Sequence, residues 1–344
     1  MVVKKIAVLG VGAIGGTIGG CLTMAGYDVT LIDQWPENVE TMKAKGLRIS
    51  GTHGEHQIPV KAIHLTEVSP ANAEYDIAFV CTKSYDTRWA ASFIAPYVKA
   101  DGAVVSAQNS INDPVIAPIV GYNRALACIL NLGSGMYEPA HVVRTNEPEA
   151  MTVTLGELHC RISPRLRELG EIMSSVGKTK LTTNTWGERW AKLAVNCMVN
   201  PMAGITGISS AEVRRNEATR GLIIKAAAEA VRVATAMGVE VEPINGIPAH
   251  AYLEADSGEG LEYVETELGH AAGERGEGLP SLLQDLKKGR RTEIDYLNGY
   301  VVEKGNRAGI NTPVNGALAA TVRRIEGEKL TPDLANLEML DSYL

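Results

Sequence analysis

The sequence lacks the features that mark several classes of protein. Its five cysteines are widely spaced and no C-x-x-C pair occurs, so the pattern predicts free thiols in a reducing compartment and no zinc site. No apolar run approaches the roughly 20 residues that a membrane-spanning helix needs. No small-residue cleavage site follows the first strand-like run, as a secretory signal would require. These absences predict a cytoplasmic protein with no membrane segment.

Runs of like charge are also missing. The chain carries 33 Lys and Arg against 40 Asp and Glu, for a formal net charge of −7, and its basic residues are scattered rather than arranged in a stripe. This distribution argues against a nucleic-acid surface, although local sites for small anions stay open. With 344 residues and 45% hydrophobic content, the chain is long enough for about two globular domains.

The first half alternates short apolar runs with helical patterns. The runs are continuous rather than alternating, as in parallel strands that are covered on both faces. The order predicts a doubly wound, Rossmann-type α/β sheet in a domain spanning 1–184. Later runs at 151–158 and 178–184 are candidates for antiparallel edge strands. The predicted parallel strands are 6–10, 28–33, 75–82, 103–109 and 125–131.

The second half has almost no strand signal. Helical patterns predict an all-α domain over 185–344. The acidic, glycine-rich segment 254–278 is interpreted as a surface excursion between helices. The predicted helices are 187–200, 211–237, 280–288, 292–308 and 313–326.

A glycine loop follows the first strand. The stretch "VLGVGAIGG" places Gly10, Gly12 and Gly15 in the G-x-G-x-x-G spacing, with Ala13 and Ile14 opening a helix. The three glycines permit a tight turn, close approach of a pyrophosphate and close packing of helix on strand, and the helix N-terminus attracts the phosphates. The pattern predicts a dinucleotide site. The alternative is a glycine-rich turn that serves packing alone.

Polar residues follow three more strands. Asp33 ends the second strand, where a carboxylate typically binds the adenosine ribose of NAD; alternatively, it caps the helix after Trp35. Lys83 and Asn109 follow two later strands. Ligands bind at the carboxyl ends of strands in open α/β sheets, so these residues are expected to line one crevice with the glycine loop. Each is otherwise an ordinary loop residue.

The stretch "GERWAKLAVNCMVNPM" holds a polar helix face. Lys192, Asn196 and Asn200 recur every fourth residue among apolar neighbours. A lysine in such surroundings must be paired, have a lowered pKa or reach solvent, and the first two conditions suit acid–base chemistry in an inter-domain cleft. The alternative is a lysine that extends to solvent and two asparagines that satisfy backbone groups.

A second polar set lies near the C-terminus, in "LPSLLQDLKKGRRTEIDYLNGY". Ser281 stands at a predicted helix start, where it is either functional or an N-cap. Glu293 begins the next helical pattern, where a carboxylate also suits the helix dipole. The residues alone leave these alternatives open.

These blocks together resemble the ketopantoate reductase (2-dehydropantoate 2-reductase) family over almost the whole chain. The resemblance lies in "GVGAIGG", "CTKS", "QN", the pattern W-x-K-x-x-x-N-x-x-x-N-P and "SLLQDLKKGRRTEIDYLNGYVV". It implies reduction of a 2-oxo acid by NAD(P)H, with 2-dehydropantoate and pantothenate biosynthesis as the first expectation. It further implies a C-terminal domain like that of 6-phosphogluconate dehydrogenase. The mainly apolar composition of the helical domain separately predicts a homodimer.

The resemblance also implies roles for individual residues. Lys192 corresponds to the general acid that protonates the ketone oxygen, and Glu293 to the glutamate that binds substrate and tunes that lysine. The polar residues implied to bind substrate are Asn109, Asn196, Asn200 and Ser281. The residues implied to bind cofactor are Gly10, Gly12, Ala13, Ile14, Gly15, Asp33, Lys83 and Asn109.

The chain departs from the family pattern at three places. Ser110 stands where a glycine is common, segment 254–278 is longer than usual, and "LIDQWPENV" lacks the arginine that many NADPH-using members carry after the second strand. Asp33 favours NADH. Two alternatives are a reductase of another 2-oxo acid and a non-catalytic protein that senses the dinucleotide. Retention of Lys192 and Glu293 argues against the second.

Overall fold

The structure is a computed structural model that describes residues 4–69, 74–147, 150–274 and 279–343. The chain divides into two compact units, Met1–Thr185 and Trp186–Leu344. The first unit is α/β and the second is helical. The predicted fold class is therefore confirmed.

The first unit is built on a large sheet. Among the described residues, eight strands form it in the order β12-β11-β8-β7-β6-β1-β2-β5. Six of the strands, β8, β7, β6, β1, β2 and β5, run parallel to one another, whereas β11 is antiparallel to β8 and parallel to β12. The strands are β1 (Lys5–Leu9), β2 (Asp28–Asp33), β5 (Lys61–His64), β6 (Tyr75–Val80), β7 (Val98–Ser106), β8 (Ala125–Asn131), β11 (Thr152–Glu157) and β12 (Lys178–Thr182).

Both faces of this sheet are covered, which explains its continuous apolar strands. In β1, Ile6 and Val8 pack into one hydrophobic core, while Ala7 and Leu9 pack into the other. Alternate side chains of a strand point to opposite faces, so a strand buried on both sides has no polar face. The covering helices are α1 (Ala13–Met24), α2 (Pro36–Lys45), α3 (Thr87–Ile94), α4 (Asp113–Val120) and α5 (Pro164–Met173).

The sheet has its switch point beside β1. From β1 the chain first adds β2 on one side and later adds β6 on the other. The crevice at such a reversal, outside the carboxyl ends of the strands, is where open α/β sheets bind ligands. At the far edge, β11 and β12 run against the parallel strands, which confirms the predicted antiparallel edge.

A second, smaller sheet in this unit was not predicted. Its strands, in the order β4-β3-β10-β9, pack on α1. Two helix glycines permit this contact, because a Cβ at Gly16 would lie 2.7 Å from Val142 and one at Gly20 would lie 2.6 Å from Ile49. The strands are β3 (Leu47–Gly51), β4 (His56–Ile58), β9 (Ser134–Glu138) and β10 (His141–Arg144).

The second unit consists of helices and 3-10 turns in its described residues. None of the described helices of the chain is long and apolar enough to cross a membrane. The helices are α6 (Thr185–Thr206), α7 (Ser210–Arg215), α8 (Glu217–Ala236), α9 (Ala249–Asp256), α10 (Leu261–Glu274), α11 (Ser281–Lys287), α12 (Asn298–Ala308) and α13 (Pro313–Glu328).

The structure corrects three of the predicted helical boundaries. The helix predicted over 211–237 is broken at Asn216, whose side chain accepts a hydrogen bond from the Ala218 N–H and starts α8 afresh. The helix predicted over 292–308 begins instead as a 3-10 turn, Ile294–Tyr296, before α12. Residues 279–280 are not helical, so α11 begins one residue later than predicted.

The interpretation of 254–278 as an excursion was wrong for most of its length. Residues 261–274 form α10, and only 257–260 separate it from α9. Val264 and Leu268 are fully buried, and their spacing of four places them on one helical face. The many acidic residues and glycines concealed this short apolar stripe. Residues 275–278 lie outside the described part of the chain.

Candidate functional site

The glycine loop joins β1 to α1 with a different role for each glycine. Gly10 has φ +91°, a left-handed conformation that favours glycine. A Cβ at Gly15 would lie 2.0 Å from the Gly10 carbonyl oxygen, so helix and loop approach too closely for a side chain. A Cβ at Gly12, in contrast, would meet no atom within 4 Å. The loop therefore packs through Gly10 and Gly15 and leaves space above Gly12.

The N-terminus of α1 fits an anionic ligand. In this fully described helix, the N-cap is Gly12, no side chain caps the first turn, and the first turn holds no acidic residue. Ala13 and Ile14 are the first residues of the helix and are partly exposed. Backbone N–H groups at such an end, together with the helix dipole, bind phosphate. The arrangement fits the pyrophosphate of a dinucleotide. A glycine loop that served packing alone would not require this arrangement.

Asp33 organises this loop from the end of β2. Its Oδ2 accepts hydrogen bonds from the Val11 N–H at 2.8 Å and from Asn38 Nδ2 at 3.1 Å, and its Oδ1 accepts from the Trp35 N–H at 3.0 Å. Asp33 is 8% exposed. Trp35, rather than Asp33, is the N-cap of α2. Asp33 thus fixes both the glycine loop and the turn before α2, and its charge lies beside the loop.

Sequence reasoning missed Asn38. This side chain is fully buried and donates to the Val11 carbonyl at 3.0 Å, while its Oδ1 accepts from the Ala140 N–H at 2.7 Å. Asn38 therefore ties the glycine loop to the smaller sheet. Its partner Ala140 is 102 positions away, so no local pattern could have identified it.

Lys83 and Asn109 follow neighbouring strands, β6 and β7, on the same edge of the sheet as the glycine loop. Both are partly exposed. The Cys81 N–H donates to the Leu9 carbonyl and the Ala107 N–H to the Val80 carbonyl, so the loops stay in register beyond the strand ends. The structure brings these two residues to the edge that carries Gly12 and Asp33.

Two further polar side chains, Gln108 and Asn112, hold these two loops together, and the sequence had given neither a role. Gln108 Nε2 donates to the Thr82 carbonyl at 2.8 Å and to Thr87 Oγ1 at 2.9 Å. Asn112 Nδ2 donates to Ser84 Oγ at 3.1 Å and to the Asn109 carbonyl at 2.8 Å. These cross-links fix the backbone on either side of Lys83 and Asn109.

Ser110 occupies a backbone conformation that favours glycine. Its φ is +70°, and it is buried. A non-glycine residue in the left-handed region costs roughly 1–2 kcal/mol. Ser110, which stands where a glycine is common in the family, is therefore a strained residue next to Asn109. The hydrogen bonds around Ser110 hold it in this conformation.

Helix α6 in the second unit presents the predicted polar face. Lys192 is partly exposed, and Asn196 and Asn200 are 7% and 6% exposed. Leu193 and Cys197, one position further along, are fully buried in the apolar interior. The side of the helix that carries the amine and the two amides is therefore mostly enclosed, with its amine end nearest to solvent.

Ser281 and Glu293 lie in segments next to α6. A Cβ at Gly204 of α6 would lie 2.3 Å from the Leu282 side chain, which places the start of α11 against the end of α6. Pro280, not Ser281, is the N-cap of α11, so the N-cap interpretation of Ser281 was wrong. Glu293 is 6% exposed at the 3-10 turn before α12, and the Trp190 and Tyr300 rings, 5.9 Å apart, pack α12 on α6.

Two of the five free cysteines are poorly suited to act as nucleophiles. Burial raises the pKa of the Cys21 and Cys197 thiols, and the nearby Glu229 carboxylate raises that of Cys197 further. Because the thiolate is the reactive form, a raised pKa lowers the reactivity of both thiols. Among the described residues, no group of three or more His, Cys, Asp or Glu side chains is placed to hold a metal ion.

Comparisons with known proteins agree with both halves of this arrangement. The family model described as ketopantoate reductase PanE/ApbA matches residues 6–158, and its C-terminal counterpart matches residues 184–326. The 2-dehydropantoate 2-reductase of Archaeoglobus fulgidus is 30% identical over 328 residues, covering 95% of this chain and 99% of the relative. The chain belongs to the ketopantoate reductase family.

Solved structures of similar fold include ketopantoate reductases. A PanE/ApbA family ketopantoate reductase from Ralstonia eutropha JMP134 has a TM-score of 0.78 and 27% identity, with 95% of this chain and 100% of that one covered. A D-mandelate dehydrogenase, solved with NADH and anilino(oxo)acetate, has a TM-score of 0.82 and 24% identity, with 94% and 99% covered.

Family membership makes the chain an NAD(P)-dependent oxidoreductase that acts on CH–OH groups, with a nicotinamide dinucleotide as cofactor. The resemblance inferred from the sequence motifs is thereby confirmed. The predicted site residues of the chain fall into two sets. The glycine loop, Asp33, Lys83 and Asn109 lie at one sheet edge, and the other residues lie on and around α6.

Proposed function

We propose that the chain reduces 2-dehydropantoate to (R)-pantoate with NADH. The observation that carries the proposal is the α6 face, where a partly exposed Lys192 precedes two buried asparagines in a helix packed against the segments of Ser281 and Glu293. A carbonyl reduction needs one proton donor and several groups that hold a charged, hydroxylated substrate. This face offers both.

The proposed mechanism assigns one task to each set of residues. The dinucleotide, when bound, supplies the hydride. The Lys192 ammonium lies beside the ketone oxygen, stabilises the negative charge that develops there and donates a proton from Nζ. Glu293 binds substrate and favours the charged form of that lysine. Asn196, Asn200 and Ser281 hold the carboxylate and hydroxyl of the substrate.

The residues of the first unit hold the cofactor in this proposal. Gly12 and the N-terminus of α1 would hold the pyrophosphate, because the open space and the uncapped first turn suit it. Asp33 would bind the adenosine ribose, and Lys83 and Asn109 would bind the nicotinamide end, with Asn109 also binding the substrate.

A substrate panel tests the proposal. Reduction of 2-dehydropantoate, benzoylformate and branched 2-oxo acids is followed by loss of nicotinamide absorbance with each reduced cofactor. We expect 2-dehydropantoate to have the highest kcat/KM by about tenfold or more, since pocket contacts discriminate by factors of that order. A preference for benzoylformate would support the second candidate, a reductase of another 2-oxo acid, for which a D-mandelate dehydrogenase of this fold provides the precedent.

The panel also distinguishes a non-catalytic protein. Tight NADH binding without reduction of any 2-oxo acid would contradict the proposed enzymatic activity and support dinucleotide sensing instead.

A homodimer and a cytoplasmic location are further parts of the proposal. The dimer rests on the mainly apolar composition of the helical unit, and the location rests on the free cysteines.

The charge of the Asp33 carboxylate leads to a testable prediction about cofactor preference. A ribose 2′-phosphate about 5 Å from this carboxylate would be repelled by about 3 kcal/mol as an upper value, at an effective dielectric constant of about 20. We expect kcat/KM to favour NADH over NADPH. Asp33→Asn removes the charge, so it should lower the ratio of NADH to NADPH efficiency. It also replaces one of the two oxygens that accept from the Val11 and Trp35 N–H groups, and the midpoint of thermal unfolding measures that cost separately.

Glu37→Gln is the matched control, because Glu37 is an exposed carboxylate in the first turn of the next helix. It should leave the ratio nearly unchanged. A wild-type preference for NADPH of about tenfold or more would overturn the prediction. In that case Arg48 would be the candidate for binding the 2′-phosphate. Its guanidinium pairs with Glu55 at 3.0 Å on the exposed side of the smaller sheet.

A further inference from the structure

Helix α6 contains a proline in its interior, one position after Asn200. Pro201 has no N–H, so it cannot donate to the carbonyl of Cys197 four residues earlier. Cys197 is fully buried. A buried carbonyl without a partner destabilises a fold by roughly 1–3 kcal/mol, so this oxygen requires a donor from elsewhere.

That donor comes from the first residue of α12. Asn298 Nδ2 donates to the Cys197 carbonyl at 3.1 Å and to Asn315 Oδ1 at 2.9 Å. Asn298 is fully buried, and its Oδ1 has no hydrogen-bond partner among the described residues. The Nδ2 group of Asn298 therefore makes two hydrogen bonds, whereas its Oδ1 makes none. This indicates that the fold uses the Asn298 side chain as a hydrogen-bond donor.

Asn298 is itself held by a buried network. Asn315 Nδ2 donates to the Ala226 carbonyl at 3.0 Å and to Glu229 Oε2 at 2.7 Å. The Glu229 carboxylate also accepts from the backbone N–H groups of Val314 and Asn315, each at 2.8 Å, at the start of α13. Burial raises the pKa of Glu229, and these hydrogen bonds oppose that shift. The donor to α6 is thus fixed by α8 and α13.

The bond lies between the polar groups of the proposed site. Cys197 follows Asn196 directly, and Pro201 follows Asn200, so the carbonyl that Asn298 binds belongs to the turn that carries both asparagines. On the other side, Asn298 comes five residues after Glu293, at the end of the 3-10 turn that Glu293 caps. One side chain therefore joins the two segments that present substrate-binding groups.

We propose that Asn298 is a positioning residue of the reductase. Its hydrogen bond to the Cys197 carbonyl replaces the one that Pro201 removes, and thereby fixes Asn196 and Asn200 relative to the Glu293 segment. The inference rests on the proposed function for its kinetic consequence, because it concerns the same substrate-binding groups. The hydrogen-bond replacement itself does not depend on which substrate is reduced.

The kinetic test begins with Asn298→Ala. We expect KM for the 2-oxo acid to rise by about tenfold, as loss of a buried hydrogen bond implies. The change in kcat should be smaller, about threefold or less, because Lys192 lies more than one turn before Cys197. NADH affinity should be unchanged, since the residues proposed to bind NADH lie in the other unit.

A purely structural role of Asn298 would lower the active fraction and the midpoint of thermal unfolding without changing KM. Asn306→Ala, at an exposed asparagine of α12, is the control.

Pro201→Ala provides the decisive comparison. It restores a backbone N–H that can donate to the Cys197 carbonyl, so the double variant Pro201→Ala/Asn298→Ala should recover most of the KM. Asn298→Ala should then change KM much less in the Pro201→Ala background than in the wild type. An equal rise in KM in both backgrounds would overturn the proposal, as would a folded Asn298→Ala protein with wild-type KM.

The same set of variants tests the link without any substrate. Asn298→Ala should lower the midpoint of thermal unfolding by about 5 °C, and the loss should be clearly smaller in the Pro201→Ala background. Additive losses would overturn the hydrogen-bond replacement. If Asn298→Ala alone does not fold, a folded double variant supports the proposal and an unfolded one opposes it. Absence of any wild-type 2-oxo acid reduction would sink the proposed function, while this stability comparison would still decide the role of Asn298.

Discussion

Replacing Lys192 with alanine is expected to lower kcat on the best 2-oxo acid by about 10² to 10⁴-fold, the range typical of a lost general acid. Hydride transfer to a ketone places negative charge on its oxygen, and this ammonium is proposed to stabilise that charge and supply the proton. NADH affinity should change little, because the proposed cofactor ligands lie in the other unit. Steady-state kinetics and NADH fluorescence titration measure the two effects separately.

Lys225→Ala is the matched control, since Lys225 is an exposed lysine of α8 in the same unit. It should leave both kcat and KM close to those of the wild type. A folded Lys192→Ala protein with wild-type turnover would show that Lys192 is structural. In that case the polar face of α6 serves packing, and another group must provide the proton.

Replacing the second and the third glycine of the loop, Gly12 and Gly15, with alanine should affect NADH affinity and stability differently. At Gly12 a Cβ meets no protein atom within 4 Å, so Gly12→Ala should fold with an unchanged unfolding midpoint. Its methyl group would occupy the space proposed for the pyrophosphate, and NADH affinity should fall by about tenfold or more. At Gly15 a Cβ would lie 2.0 Å from the Gly10 oxygen, so Gly15→Ala should lower stability as well.

Gly221→Ala is the control for the substitution itself. Gly221 lies within α8, where a Cβ meets nothing within 4 Å, so alanine should raise stability by about 0.5–1 kcal/mol and leave NADH binding unchanged. Isothermal titration and thermal unfolding of the three variants give the result. Wild-type NADH affinity in Gly12→Ala would contradict the proposed position of the pyrophosphate.

The sequence by itself determined the features that depend on short-range pattern. Continuous apolar runs identified the parallel strands, because a strand buried on both faces has no polar side. The glycine spacing after β1 identified the loop, and the structure shows why two of its glycines cannot be replaced without strain. The repeat of four residues placed Lys192, Asn196 and Asn200 on one helical face, because that spacing is close to one helical turn.

Motif resemblance added what those patterns left open. On physical grounds alone, Ser281 and Glu293 could be terminal helix residues with no further role. The resemblance gave them a proposed function, and the structure then showed that Ser281 is not an N-cap and that Glu293 is buried. The roles themselves stay predictions.

Only the tertiary structure decided the contacts between residues that are distant in sequence. The smaller sheet pairs β3 with β10, whose residues Arg48 and His141 are register partners, and strands this short carry little periodic signal. Asn38 accepts from the Ala140 N–H, 102 positions away, and Asn298 donates to the Cys197 carbonyl, 101 positions away. The sequence shows that Pro201 removes a helical hydrogen bond, but which side chain replaces it depends on how α12 packs on α6. Such a bond is set by three-dimensional packing, because no local pattern encodes the direction from which the donor arrives.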